Sequence, residues 1–314
     1  MKYYENKPAG YYDNVRHEML KYLPQNAKKV IDVGCGNGAF AAIVKEKNNK
    51  PIDSVHFYIN GIKSISSVNT ANFNTKDFGV GKHQISALIF YPGKTKKLNN
   101  SFEVLASKSP EVYTYKIINS YPHDTKAYTQ GLEYHQGFLY ETTGRRGQST
   151  LRKVEINTGK VLQKIDIDKQ YFGEGITILN NKVYQLSWQN LVGFIYDADT
   201  FKEIKRFNYS KRIQGWGLCN DGKMLYQSDG TEKIYTLNAE TLQIEGNINV
   251  YSGANKIKAV NELEWIDGKI YGNIYQKDAI AIINPKNGAV ESVIYLGDLK
   301  KLVTQHPDID VLNG

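Results

Sequence analysis

A mainly β fold, built from stacked copies of one sheet, is predicted for most of this 314-residue chain by three observations. A pattern that starts as AYTQGLEYHQGFLYETTG at Ala127 returns three more times. Gly131, Gly175 and Gly217 are each followed, eight residues on, by an apolar residue and then Tyr140, Tyr184 or Tyr226; in the fourth copy Glu262 takes the glycine's place ahead of Tyr271. These tyrosines lie 44, 42 and 45 residues apart. A half-repeat runs in step: VEINTGKVLQKIDI from Val154, IYDADTFKEIKRF from Ile195, IYTLNAETLQIEG from Ile234 and IAIINPKNGAVESV from Ile280. The runs are rich in Tyr, Ile and Val, alternate with period two and break at Asn-Gly, Asp-Gly and Thr-Gly, which is strand and hairpin chemistry rather than helix chemistry.

A period in the low forties with several short strands per copy is the signature of a β-propeller blade. One copy cannot bury both faces of its sheet, so the copies must stack around an axis. The strand Val112 to Ser120 belongs to none of the four copies and is assigned to closing the ring, which removes free sheet edges.

The segments ahead of the repeats differ in character. Residues 1–49 read as a Rossmann-like αβ fragment: VRHEMLKYLP has helical spacing and stops at Pro24, and AKKVIDVGCGNGAF is a strand running into a glycine turn. Asp32, Gly34, Gly36 and Gly38 resemble the first motif of class I S-adenosylmethionine-dependent methyltransferases, whose glycine loop cradles the cofactor. The βα units that should follow are absent. Asp53, at the spacing of a ribose ligand, instead begins IDSVHFYINGIKSI, which alternates like an edge strand. Residues 50–107 are short alternating runs between Asn-Gly, Gly-Lys and Asn-Asn turns, a small β-sandwich-like domain. The propeller is expected over residues 108–314.

Composition excludes some function classes. The chain carries a formal charge of +8 with 12% aromatic and 23% charged residues. The lysines are scattered through turns and solvent-facing positions, with no basic stripe interleaved with aromatics, so no nucleic-acid partner is expected. No apolar run reaches the roughly 18 residues of a membrane span, and the N-terminus lacks the apolar region of a secretory signal. Cys35 and Cys219 make no metal spacing and no expected disulfide.

Aligning the repeats places unlike polar residues immediately before the glycine or its substitute: Gln130, Glu174, Trp216 and Asn261, with Asn313 opening a fifth copy, LNG. Equivalent positions in stacked blades face one point near the axis, so these side chains are expected to converge. Unlike residues at a repeat position are expected where symmetry is broken to build a site. Glu174, between Gly173 and Gly175 and near Phe172 and Trp216, is the candidate proton carrier, its pKa raised by desolvation.

The motifs YPHDTKAYTQGLEY, GFLYETTGRRGQSTLRKVEINTGKV, YFGEGIT, IQGWGL, VNELEW, NIYQKDAIAIINPKNG and DVLNG resemble the plant and bacterial type of glutaminyl cyclase, or glutamine cyclotransferase, over residues 112–314. The resemblance implies a five-bladed propeller whose last blade is incomplete here, because the family continues past LNG and carries an active-site lysine there. It implies conversion of an N-terminal glutaminyl residue to pyroglutamate with release of ammonia, without metal or cofactor. Glu174 would be catalytic. Gln130 and Asn261 would hold the substrate, and Tyr128, Phe172, Trp216 and Tyr275 would wall the pocket. Partners would be peptides or proteins with N-terminal glutamine, which the family commonly meets in the periplasm or outside the cell; the protein itself is expected to be a monomer. Two other readings stay open: a propeller that binds peptides without turnover, and a methyltransferase resting on Asp32 to Gly38.

Overall fold

The computed structural model describes residues 52–64, 71, 73–307 and 309–313; the predicted Rossmann-like fragment, with Asp32, Gly34, Cys35, Gly36 and Gly38, lies outside the described residues, as does Gly314. Regular structure is almost entirely β, and no helix among the described residues is long and apolar enough to cross a membrane. The chain divides into two compact units, one ending at Val104 and the other carrying the repeats.

The first unit holds one four-stranded sheet of order β2-β1-β3-β4, from β1 (Ser54–Ile59), β2 (Ile62–Lys63), β3 (Gly81–Tyr91) and β4 (Lys94–Val104). Asn60 and Gly61, both at positive φ, make the tight β1–β2 turn that an Asn-Gly pair favours. Val55, Phe57 and Ile59 alternate inward and pack with Ile85, Ala87 and Ile89 of β3. β1 is therefore internal rather than the expected edge strand, because β2 folds back along its far side.

In the second unit β5 (Glu111–Tyr113) is followed by four sheets, each a meander of four antiparallel strands. The first is β6 (Thr129–His135), β7 (Phe138–Thr143), β8 (Thr150–Glu155) and β9 (Val161–Asp166); the second is β10 (Gly173–Leu179), β11 (Lys182–Ser187), β12 (Val192–Asp197) and β13 (Glu203–Asn208). The third is β14 (Leu218–Asn220), β15 (Met224–Ser228), β16 (Lys233–Asn238) and β17 (Ile244–Asn249). A short hairpin, β18 (Tyr251–Ser252) and β19 (Asn255–Lys256), precedes the fourth sheet of β20 (Val260–Ile266), β21 (Lys269–Ile274), β22 (Ala279–Ile283) and β23 (Val290–Tyr295). Each first strand lies against the next sheet's first strand, and β20 lies against β6. β10 is buried along its whole length, whereas β13 is exposed apart from Phe207.

β5 adds to the outer edge of the fourth sheet, parallel to β23, with Glu111 opposite Ser292 and Tyr113 opposite Ile294. The predicted closing strand is thus shorter than Val112 to Ser120. β23 ends at Tyr295, so the ladder could extend by one residue at most beyond Tyr113; Tyr115 instead donates its hydroxyl to the Gly297 carbonyl at 3.2 Å.

Packing explains both repeat signals. Tyr140 and Tyr184 are buried between sheets, and each donates its hydroxyl to an alanine carbonyl in the next sheet's third turn, Ala198 at 3.3 Å and Ala239 at 3.4 Å. The glycines permit backbone-to-backbone approach of first strands: a Cβ on Gly175 would lie 2.5 Å from the Trp216 carbonyl oxygen, and one on Gly217 would lie 1.8 Å from that of Asn261. Hydrophobic clusters join the first sheet to the second through Tyr140, Leu151, Ile176 and Phe194, the second to the third through Tyr184, Leu218 and Leu225, and the third to the fourth through Tyr226, Val260 and Leu263. Between the fourth sheet and the first, the bonds among described residues are polar. Glu262 accepts the Leu132 N–H, and Asn313 bridges Asn261 and Asn273 to Thr129.

Candidate active site

Three positions of the repeat deliver side chains to one end of the sheets. Three residues before the glycine stand Tyr128, Phe172 and Gln214; one before it stand Gln130, Glu174, Trp216 and Asn261; four after the repeat tyrosine stand Gly144, Trp188, Gly230 and Tyr275. The pairing of β6, β10 and β20 with their second strands shifts register at Thr129/Gly131, Gly173/Ile176 and Val260/Leu263. Gln130, Glu174 and Asn261 lie within those irregularities, and a bulge of this kind re-aims a side chain out of the alternation of its strand.

The aromatic residues form an arc. The Tyr128 and Phe172 rings meet edge to face at 6.4 Å, Phe172 meets Trp188 at 5.6 Å, and Trp216 meets Tyr275 edge to face at 5.9 Å. The glycines of the third position make room for it: a Cβ on Gly144 would lie 2.5 Å from the Phe172 ring, and one on Gly230 would lie 2.6 Å from that of Trp216. Arg145 sits over the Tyr128 ring, 4.6 Å from its centroid, in reach of a cation–π attraction.

Glu174 is 6% exposed, and no hydrogen bond to its carboxyl exists among the described residues. Burial alone drives its pKa well above the ordinary carboxylate value, since a charge taken from water without a partner is disfavoured. Its backbone carbonyl accepts the Thr142 hydroxyl at 2.5 Å, which fixes the bulge. Behind Gly173 lies the carboxamide of Gln185, fully buried and with neither polar atom paired.

The carboxamides meet at Asn313. Its Oδ1 accepts Asn261 Nδ2 and Asn273 Nδ2, each at 3.0 Å, while its Nδ2 donates to the Thr129 carbonyl at 3.0 Å and lies 3.5 Å from Gln130 Oε1. Asn261 is buried, and its Oδ1 has no partner. The Tyr128 hydroxyl donates to Asp310 at 3.1 Å, which ties the arc to the same C-terminal segment.

One layer deeper along the first strands, two residues after the glycine position, come Glu133, Thr177, Cys219 and Glu264. Burial pushes the Glu133 carboxyl up to about 8 and that of Glu264 to about 7, and holds Glu262 well above its usual range. Cys219 is a buried free thiol. Among the described residues no group of three or more His, Cys, Asp or Glu is arranged to hold a metal ion.

The structure joins Gln130 and Asn261 through Asn313, joins Tyr128, Phe172 and Trp188, and Trp216 and Tyr275, by ring contacts, and places Glu174 at the same repeat position as Gln130, Trp216 and Asn261; Trp188 and Gln214, which the sequence pattern did not single out, link the two ring groups. A signal for Trp188 was present: it occupies the same repeat position as Tyr275.

Comparison with known proteins matches the model of the family described as glutamine cyclotransferase over residues 87–314. A glutaminyl-peptide cyclotransferase of Arabidopsis thaliana is 39% identical over 202 residues, which is 63% of this chain and 63% of that protein. This chain thus spans less than two thirds of that relative's length. The crystal structure of Myxococcus xanthus glutaminyl cyclase superposes with a TM-score of 0.58 at 30% identity, covering 63% of this chain and 85% of that one. With its bulged first strands, its repeat geometry and a family match running from residue 87 to the last residue, this chain belongs to the glutamine cyclotransferase family.

Proposed function

We propose that this protein is a glutaminyl-peptide cyclotransferase, converting the N-terminal glutamine of peptides to pyroglutamate with release of ammonia, on a five-bladed propeller whose fifth blade begins at residues 309–313. The observation that carries the reading is Glu174, a buried carboxyl without a hydrogen-bond partner among the described residues, at the repeat position that also carries the carboxamides of Gln130 and Asn261 and the indole of Trp216.

The chemistry is intramolecular acyl transfer. The substrate's α-amine attacks the carbon of its own side-chain carboxamide; a C–N bond forms, and the bond to the departing nitrogen breaks. Glu174 takes a proton from the attacking amine and delivers one to the leaving group, so that ammonia departs rather than amide anion. A carboxyl with a raised pKa suits both halves of that exchange near neutrality. Asn261 Oδ1, buried and unpaired, accepts an N–H of the substrate; Gln130 holds the other side. The apolar walls favour the folded-back side chain, in which amine and carboxamide are already adjacent, and this positioning supplies much of the rate.

Incubation with a glutaminyl dipeptide tests the reading by ammonia release and by the appearance of the pyroglutamyl product. Peptide that binds yet is recovered unchanged would favour the binding-only alternative.

A further inference from the structure

Where the first two sheets place an aromatic ring three residues before the repeat glycine, Tyr128 and Phe172, the third places Gln214. Its Oε1 accepts the indole N–H of Trp188 at 2.8 Å and that of Trp216 at 2.9 Å. One oxygen thus takes two indoles, one from the second sheet and one from the third. Ring contacts link Tyr128 to Phe172, Phe172 to Trp188, and Trp216 to Tyr275. The Gln214 carboxamide occupies the break between Trp188 and Trp216. Its own backbone is held in turn: the Gln214 carbonyl accepts Gln227 Nε2 at 3.3 Å, and the adjoining Gly215 N–H donates to the Trp188 carbonyl at 3.1 Å.

We propose that Gln214 is a positioning residue that locks the two indoles at fixed angles and so sets the wall against which the glutaminyl side chain folds. This rests on the cyclisation reading above. An amide oxygen has two lone pairs and can satisfy two N–H donors at one point, which neither an aromatic nor an aliphatic side chain at this repeat position can do. Without it each indole N–H turns toward water, and the two rings lose their common reference. Gln214 is exposed, so its replacement does not disturb a core.

The chain has three tryptophans, Trp188, Trp216 and Trp265, so nitrogen-15 labelling of the full chain gives three indole N–H signals. Trp265 stacks on Tyr226 with centroids 5.1 Å apart, and the indoles that Gln214 accepts are those of Trp188 and Trp216; the Trp265 signal is assigned with Trp265→Phe. Gln214→Met, close in volume but lacking the acceptor, is expected to move two of the signals upfield and leave that of Trp265. The same variant is expected to raise KM for a glutaminyl dipeptide about tenfold, with a smaller change in kcat. Gln214→Glu keeps an oxygen with two lone pairs and is expected to restore both readouts. Three unmoved indole signals, or two moved signals with an unchanged KM, would overturn the proposal. If the unaltered chain releases no ammonia, the cyclisation reading falls by itself. The indole signals and a dipeptide titration followed by tryptophan fluorescence then decide the role of Gln214.

Discussion

Glu262 reaches from the fourth sheet to the first, its Oε1 accepting the backbone N–H of Leu132 at 3.0 Å. The other three repeats have glycine at this position because their first strands touch through the backbone; here a side chain spans the interval instead. Restoring the repeat's glycine should therefore weaken the fold. Glu262→Gly is expected to cost about 1 kcal/mol by leaving a part-buried N–H without its acceptor, read as a lower denaturation midpoint. Glu262→Gln keeps the acceptor, and because burial already disfavours the charged form, it is expected to be nearly neutral.

Glu174 is predicted to carry the reaction without holding the fold. Glu174→Gln should lower kcat by at least about a hundredfold while far-ultraviolet circular dichroism and melting temperature stay level or rise, since a buried carboxyl without an internal partner is replaced by a neutral amide. For the unaltered chain, kcat should rise with pH through a value above the ordinary carboxylate range, because Glu174 must be ionised to accept the first proton and its pKa is raised. An acid limb at the pKa of a solvated carboxylate would remove Glu174 from the mechanism.

Stability should fall as pH rises from acid toward neutral. Glu133 titrates at about 8 in the folded chain against 4.5 when solvated, so the native state holds more protons than the unfolded state throughout that interval, and a state that binds more protons is favoured at low pH. His123 acts in the same sense. Its pKa is raised by the hydrogen bond to Glu141, opposed by burial, so its contribution is present below the unfolded value and is lost as pH climbs through the folded one. Thermal melts across this range should show the decline, and Glu133→Gln should make it shallower above about pH 5, the rest coming from Glu174, Glu262, Glu264 and His123.

Two glycines separate close packing from turn strain. At Gly175 the added methyl of alanine would lie 2.5 Å from the Trp216 carbonyl oxygen, whereas at Gly222 it would meet nothing within 4 Å and only the positive φ of 89° resists it. Gly175→Ala is expected to cost several times more than the roughly 1 kcal/mol of strain at Gly222→Ala. Equal shifts in chemical denaturation would contradict the account of the repeat glycine given above.

How far the structure was legible follows from which interactions are periodic. The tyrosine spacing and the Asn or Asp turns repeat because each sheet packs on the next in the same way, and so a series of similar antiparallel sheets, though not their four-strand make-up, could be read in advance. Gln130, Glu174 and Asn261 were visible because they depart from their frame at one repeat position. Trp188 and Gln214 were harder to see. They meet through a hydrogen bond between residues 26 positions apart in sequence, which strand alternation does not encode. The extent of the closing strand was overestimated because it is set by where its partner ends, at Tyr295, rather than by the apolar pattern of its own residues.

The three-residue ladder between β5 and β23 makes a closed circuit of everything between them. A strand that precedes the first sheet is stitched to the last, so the chain from Tyr113 to Ser292 is a covalent loop with its ends zipped together. An open row of repeats sheds units one by one from whichever end frays. Here the outermost unit cannot peel until the stitch slips, and a pull along the chain loads that ladder in shear. The short pairing of Glu111–Tyr113 with Ser292–Ile294 therefore resists fraying of the outermost sheet together with the Glu262–Leu132 bond across the same seam.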